Sequence, residues 1–218
     1  MNTHRIIQAI DHTNLDPCAT EEEILAFAAA AQGTGIASLC VQPCYVATLA
    51  QHFPGGVPIC TVVGFPPGLR ASGGQGCGSA PGLCRWCQRG GYGAPLGRIK
   101  AGDYSAVQRD VAAVLAERPA GGKIKVILET GALTDEEIFG TVQALNDLDI
   151  DFTNQHRLWL SWRQCSRCRA DHAGQRPEIQ LKASGGIRTI EDAEAYLRLG
   201  ATRIGASKLL AACLAAQE

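Results

Sequence analysis

The chain alternates short β-like runs with helical segments, and this alternation restricts the fold more than any other feature. Apolar and β-branched residues concentrate in five runs that predict strands, namely residues 38–41, 59–64, 124–129, 179–182 and 202–205. Strands that alternate with helices form right-handed βαβ units around a parallel sheet. Several such units within 218 residues predict a (β/α)8 TIM barrel, with a doubly wound open sheet as the alternative.

Capping patterns mark where the helices begin. Thr20 and Thr134 each stand three residues before a glutamate, which is the capping box that opens a helix. Residues 105–117 and 189–199 predict two further helices. No G-x-G-x-x-G sequence opens the first helix, which disfavours a dinucleotide-binding fold. We therefore expect one barrel domain spanning residues 1–218.

Composition excludes several classes of function. The chain is 46% hydrophobic and 19% charged, as in an ordinary soluble protein, and its net charge of −1 is not typical of a nucleic-acid-binding protein. No apolar run approaches the roughly 18–20 residues that a membrane span needs. Residues 1–9 contain no apolar core of a signal peptide. We therefore expect a cytoplasmic protein that contacts neither nucleic acid nor membrane.

Two windows, at about residues 68–93 and 154–176, lack the helix and strand periodicity of the rest. Acidic residues are absent from the first and reduced to Asp171 in the second, yet together they hold all three tryptophans and half of the ten cysteines. A four-thiolate zinc site could combine the two C-x-x-C motifs at 84–87 and 165–168. Their separation far exceeds the roughly 15–20 residues of a zinc ribbon, so we expect no metal. Most of the cysteines elsewhere are interpreted as buried free thiols.

Seven strings outside these windows, in order, resemble the deoxyribose-phosphate aldolase family. They are DHT at 11–13, CVQP at 40–43, VGFP at 63–66, KAGDY at 100–104, KVILET at 125–130, KASGGIR at 182–188 and GAS at 205–207. The resemblance implies a class I aldolase of nucleoside catabolism that uses neither metal nor organic cofactor. It would reversibly cleave 2-deoxy-D-ribose 5-phosphate to D-glyceraldehyde 3-phosphate and acetaldehyde through a lysine Schiff base. Relatives are often dimers or tetramers, so a homo-oligomer is expected.

The resemblance also implies site residues. Lys182 corresponds to the lysine that lowers the pKa of the Schiff-base lysine. The other implied residues are Asp11, Cys40 and Lys125 in the pocket, with Gly185, Gly186, Gly205 and Ser207 as the phosphate cradle.

Plainer interpretations stand beside these roles. Lys125 could be a salt-bridged lysine of the barrel interior, and Asp11 could pair structurally. Cys40 is interpreted as a small pocket-lining residue, not a nucleophile, and His12 as a structural residue, not a base.

The sequence departs from the family where its Schiff-base lysine belongs. The family has K-T-S-T-G-F-G just after an Asp-Phe pair, whereas Asp151-Phe152 is followed here by TNQHRLW. The family's catalytic aspartate lies in a D-M-V string, and residues 91–93 read GYG instead. Codons for 154–159 and 85–93 can be chosen so that a shifted frame restores both strings, which suggests two frameshifted windows. The alternative function is a catalytically inactive barrel that binds a phosphosugar.

Overall fold

The computed structural model describes residues 3–65, 88–156 and 174–217. Its helices are α1 (Thr3–Ala9), α2 (Glu21–Ala31), α3 (Val46–His52), α4 (Leu96–Lys100), α5 (Tyr104–Ala116), α6 (Asp135–Leu145), α7 (Ile190–Arg198) and α8 (Leu209–Ala215). Its strands are β1 (Ile10–Asn14), β2 (Ser38–Val41), β3 (Ile59–Val63), β4 (Arg89–Gly93), β5 (Lys123–Leu128), β6 (Phe152–His156), β7 (Gln180–Ser184) and β8 (Ala201–Ala206). Short 3-10 turns at Pro43–Tyr45 and Thr130–Ala132 follow β2 and β5.

The eight strands form a closed parallel barrel in the order β1 to β8, and β8 pairs back with β1. This closure confirms the predicted (β/α)8 barrel and excludes the open doubly wound sheet. The five predicted strands are all present, with ends within two residues of those expected. Two apolar clusters pack the helices against the outside of the barrel. None of the helices in the described ranges has the length and apolar character that crossing a membrane requires.

Two strands extend into the windows whose sequence lacks strand periodicity. β4, with the sequence RGGYG, lies inside the first window, and β6 ends inside the second. Glycine has a low strand propensity, so local sequence gave no signal for β4. Pairing with β3 on one side and β5 on the other supplies the hydrogen bonds that hold it extended. The barrel context therefore overrides the local preference.

Both predicted capping boxes are present. The Thr20 hydroxyl accepts a hydrogen bond from the backbone N–H of Glu23, whose carboxylate accepts one from the Thr20 N–H. Thr134 and Glu137 repeat this arrangement at the start of α6. Thr189 forms a third box at α7 with an aspartate as its partner. These caps begin the helices at fixed residues, and thereby fix the loops that enter them from the carboxyl ends of the strands.

Candidate active site

Three charged side chains meet inside the barrel. The Lys125 ammonium donates to Asp11 Oδ2 at 2.5 Å, and the Lys182 Nζ lies 2.9 Å from the same oxygen. The other Asp11 oxygen accepts a hydrogen bond from the Ser38 hydroxyl at 2.6 Å. The side chains of Asp11, Lys125 and Lys182 are 0%, 1% and 6% exposed. Strands β1, β5 and β7 thus bring three of the predicted site residues into one dry cluster.

The cluster holds Asp11 and Lys182 in their charged forms. Burial alone raises the pKa of Asp11, but the charges of Lys125 and Lys182 and the hydrogen bonds to the carboxylate outweigh it, and the pKa lies well below its usual range. Burial alone lowers the pKa of Lys182, but the Asp11 charge outweighs it and raises the pKa above its usual value. At neutral pH Lys182 is therefore an ammonium and must lose a proton before it can act as a nucleophile.

A cavity of about 420 Å³ opens above this cluster, at the carboxyl ends of the strands. Lys182 lines it, together with Cys40, and all four predicted cradle residues lie on the same wall (Gly185, Gly186, Gly205 and Ser207). Arg188 and Lys208 add two further cations, and no acidic side chain is found among the described residues of the lining. The cavity therefore has the electrostatic character of an anion site.

Two features explain why glycines form the cradle. Gly185 and Gly186 have φ values of 91° and 75°, a left-handed region that other residues rarely adopt. A Cβ on Gly205 would lie 2.7 Å from the Ser184 Cβ and 2.9 Å from the Lys182 Cε. The backbone of β8 therefore passes directly against the Lys182 side chain, and only glycine leaves that side chain its space.

Sequence reasoning missed Asn154 as a cavity residue. Asn154 lies on β6, two positions after Phe152, and its side chain lines the cavity. The Ser184 hydroxyl donates to its Oδ1 at 2.9 Å, and Lys182 is its register partner on β7. The stretch where the family carries its Schiff-base lysine therefore presents an amide to the cavity. The sequence signal that could have found it is the preceding Asp-Phe pair, because the family has the same pair just before its Schiff-base lysine.

The family's D-M-V position also lacks its carboxylate. Gly91 stands there in β4, and the neighbouring Tyr92 donates its hydroxyl hydrogen bond to Asp110 of α5, on the outer side of the barrel. Asp11 is thus the carboxylate that contacts the two buried lysines.

Cys60 is a second residue near the site that sequence reasoning missed, because it was interpreted only as a buried thiol. It lies on β3 directly beside Cys40 of β2, and its sulfur is 3.7 Å from the Lys125 Nζ. His12 lies elsewhere: it stacks on Phe27 of α2 at a centroid distance of 4.0 Å, and burial lowers its pKa to about 4. His12 is therefore neutral and packs against the helix layer.

Metal-binding groups were searched for across residues 3–65, 88–156 and 174–217. No three His, Cys, Asp or Glu side chains there are grouped so that they could hold a metal ion. The two C-x-x-C motifs at 84–87 and 165–168 lie outside the described residues.

The fold and the site define a class of protein: a (β/α)8 barrel in which two buried lysines share one carboxylate, beside a cavity lined by cationic side chains. No family model matches the sequence. The deoxyribose-phosphate aldolase of Clostridium perfringens strain 13 is 32% identical over 217 residues, which cover 98% of this chain and 96% of the relative. That of Kocuria rhizophila is 36% identical over 202 residues, 91% of this chain and 90% of the relative. The chain belongs to the deoxyribose-phosphate aldolase family.

Solved structures of aldolases have the same fold as this chain. The aldolase QR15 is 28% identical and superposes with a TM-score of 0.86, covering 97% of this chain and 96% of its own. The deoxyribose phosphate aldolase of Aeropyrum pernix, whose structure is described as uniquely tetrameric, is 24% identical, with a TM-score of 0.86. The match covers 100% of this chain and 93% of the Aeropyrum pernix chain, and it shows that the two share a fold.

Proposed function

We propose that this chain is a class I aldolase that reversibly cleaves 2-deoxy-D-ribose 5-phosphate to D-glyceraldehyde 3-phosphate and acetaldehyde, with Lys182 as the imine-forming amine. One observation carries the assignment to Lys182: its side chain lines the cavity that also contains the glycine cradle. Lys125 is the more deeply buried of the two lysines, at 1% exposure against 6%. Family membership supports the reaction, and the cavity supports a phosphorylated substrate.

The cradle accounts for phosphate binding. Backbone N–H groups of Gly185, Gly186 and Gly205 can approach an anion closely because no Cβ intervenes. The Ser207 hydroxyl and the charge of Arg188 complete a site for the 5-phosphate at the rim, where barrels of this type place phosphate. The aldehyde end of the open-chain sugar then points towards Lys182. Asn154 and Ser184 offer hydrogen bonds to the hydroxyl groups between the two ends.

The shared carboxylate explains how Lys182 can become neutral. One ammonium is sufficient to neutralise Asp11, and two contact it. Lys125 can therefore keep Asp11 paired after Lys182 has released its proton, so the Asp11 carboxylate retains a cationic partner when the nucleophile forms. Cys40 contributes a small uncharged surface to the cavity wall.

The chemistry follows from a neutral Lys182. Its nitrogen attacks C1 of the open-chain sugar, water leaves, and a protonated imine forms. The C2–C3 bond then breaks, its electron pair moves into the iminium, and the C3 hydroxyl loses its proton to give D-glyceraldehyde 3-phosphate. The remaining two-carbon enamine takes up a proton at carbon. Hydrolysis then releases acetaldehyde and restores the amine.

The proposal also covers the domain organisation, location, metabolic role, cofactor use and oligomeric state of the chain. The chain acts as one domain in the cytoplasm, takes part in the catabolism of nucleoside-derived deoxyribose phosphate, and uses no cofactor. A homo-oligomer is supported by the tetramer described for the Aeropyrum pernix neighbour.

A turnover assay tests the proposal. Acetaldehyde release from 2-deoxy-D-ribose 5-phosphate is followed by coupling to NADH oxidation with alcohol dehydrogenase. We expect turnover by the natural chain, loss of it in Lys182→Met, and retention in the control Lys123→Met, whose lysine side chain is 45% exposed. Unchanged turnover in Lys182→Met would place the amine elsewhere. Tight phosphosugar binding without turnover by the natural chain would instead support the inactive phosphosugar-binding barrel.

A further inference from the structure

Two cysteines form a pair that the proposed mechanism does not need. Cys40 of β2 and Cys60 of β3 are register partners on adjacent parallel strands, and both are free and buried. Neighbouring strands lie about 4.7–4.9 Å apart, which is within the Cα separation of about 4.4–6.8 Å that a disulfide spans. The backbone therefore holds the two thiols at a distance at which they can be joined.

The two thiols differ in character. The Cys60 sulfur lies 3.7 Å from the Lys125 Nζ, and Cys40 is the register partner of Cys60 on the neighbouring strand. The hydrogen bond from Cys40 and, after it, the charge of Lys125 outweigh burial and lower the pKa of Cys60 to about 6. The hydrogen bond and then burial raise the pKa of Cys40. Cys60 is thus the thiolate and Cys40 the thiol of the pair.

The cavity reaches one member of the pair directly. Cys40 lines the cavity next to Lys182, and Cys60 lies directly beside Cys40. Cys213, by comparison, is buried in the apolar cluster outside the barrel, and burial raises its pKa. Cys213 therefore serves as an internal reference for a buried thiol without a cationic neighbour.

We propose that Cys60 and Cys40 form a peroxide-reactive dithiol site inside the barrel. The Cys60 thiolate attacks one oxygen of a hydroperoxide, an S–O bond forms as the O–O bond breaks, and the leaving oxygen takes up a proton. Cys40 then loses its proton and attacks the Cys60 sulfur, an S–S bond forms, and the oxygen departs as water. The two thiols lose two electrons, and the peroxide O–O bond is reduced. The disulfide would lie in the cavity wall beside Lys182.

Peptide mapping of the full chain tests this site. Reduced protein is freed of reductant, treated with hydrogen peroxide, alkylated in denaturant and digested without reduction. We expect a peptide pair linked through Cys40 and Cys60 that dithiothreitol separates. The link should form about tenfold or more faster than oxidation of Cys213. Cys60→Ser and Cys40→Ser should lack it, and Cys213→Ser should retain it. Mapping is used because five further cysteines lie outside the described residues.

Two results would overturn the proposal. One is recovery of Cys60 as a free, alkylatable thiol after treatment that oxidises Cys213. The other is oxidation of Cys40 that proceeds equally fast in Cys60→Ser. Neither readout depends on aldolase turnover, so failure of this proposal and failure of the proposed function are separable.

Discussion

Replacing Asp11 with asparagine removes the single carboxylate that two buried ammonium groups contact. The carboxylate accepts three bonds, from Lys125 at 2.5 Å, Lys182 at 2.9 Å and Ser38 at 2.6 Å, and Asp11 is fully buried. Asparagine keeps the size and one acceptor oxygen but not the charge. Asp11→Asn therefore removes the carboxylate that both the Lys125 and the Lys182 ammonium groups contact inside the barrel.

The expected cost is large for one substitution. Breaking a buried ion pair by removing one partner costs about 3–5 kcal/mol, because the remaining charge is buried and uncompensated. Total stabilities of domains are about 5–15 kcal/mol, so the variant should be close to unfolding. Removing one of the stranded charges as well, in Asp11→Asn/Lys125→Met, should recover part of this loss.

The pH dependence of the free energy of unfolding distinguishes the loss of the Asp11 charge from a disturbance of side-chain packing. In the natural chain, the lowered pKa of Asp11 gives stability that is present above its ordinary pKa of about 3.9 and is lost on acidification. The raised pKa of Lys182 gives stability that is present below about 10.4 and is lost as pH rises further. Between these limits the contribution is flat. In Asp11→Asn, burial acts on Lys182 without the opposing Asp11 charge and favours its neutral form, so stability should rise with pH.

Urea unfolding at pH 6, 7.5 and 9 measures both effects. The matched control is Asp147→Asn, whose carboxylate is exposed and accepts a long hydrogen bond of 3.4 Å from Gln108. The reasoning is refuted if Asp11→Asn loses less than about 1 kcal/mol at pH 7.5, which is the range of an exposed ion pair. It is equally refuted if its stability is independent of pH.

Three further predictions concern the site and the scaffold. Gly205→Ala forces the Lys182 side chain aside, since the new Cβ would lie 2.9 Å from its Cε. We expect kcat/KM to fall about 100-fold while far-ultraviolet circular dichroism is unchanged, and full activity would contradict the close packing. kcat/KM should increase steadily from pH 7 to 9, because the raised pKa of Lys182 limits the neutral amine, and a flat profile would count against Lys182 as nucleophile. Thr134→Ala removes the α6 cap and should cost about 1 kcal/mol, lowering Tm by about 2–4 °C in calorimetry, with Thr34→Ala as the comparison outside a capping box.

Fold prediction succeeded where local physics determines the element. The capping threonines Thr20 and Thr134 begin helices as expected, because a hydroxyl and a carboxylate three residues apart satisfy backbone N–H groups within one turn. β4 could not be found in the same way. Its glycines carry no strand preference, and the hydrogen bonds that hold it come from β3 and β5, which are distant in sequence.

Site residues within one sequence motif could be predicted, whereas contacts between residues on distant strands could not. Motifs placed Lys182 and the cradle glycines at one strand end, and the structure brings Lys182, Gly185, Gly186, Gly205 and Ser207 to one cavity. A salt-bridged Lys125 and a paired Asp11 were among the plainer interpretations, and the structure pairs the two. The sequence carried no sign that Lys182 shares the same carboxylate, because β1, β5 and β7 meet only when the barrel closes. Cys60 was overlooked for the same reason, since its neighbours Cys40 and Lys125 lie on other strands.

Reductive trapping of the imine tests the central claim most directly. The full chain is incubated with acetaldehyde and sodium borohydride, and the alkylated residue is located by peptide mass spectrometry. The account predicts a single ethyl group on the Lys182 nitrogen, absent when borohydride is omitted and absent from Lys182→Met. An unmodified Lys182, with ethylation confined to exposed lysines such as Lys123, would contradict it.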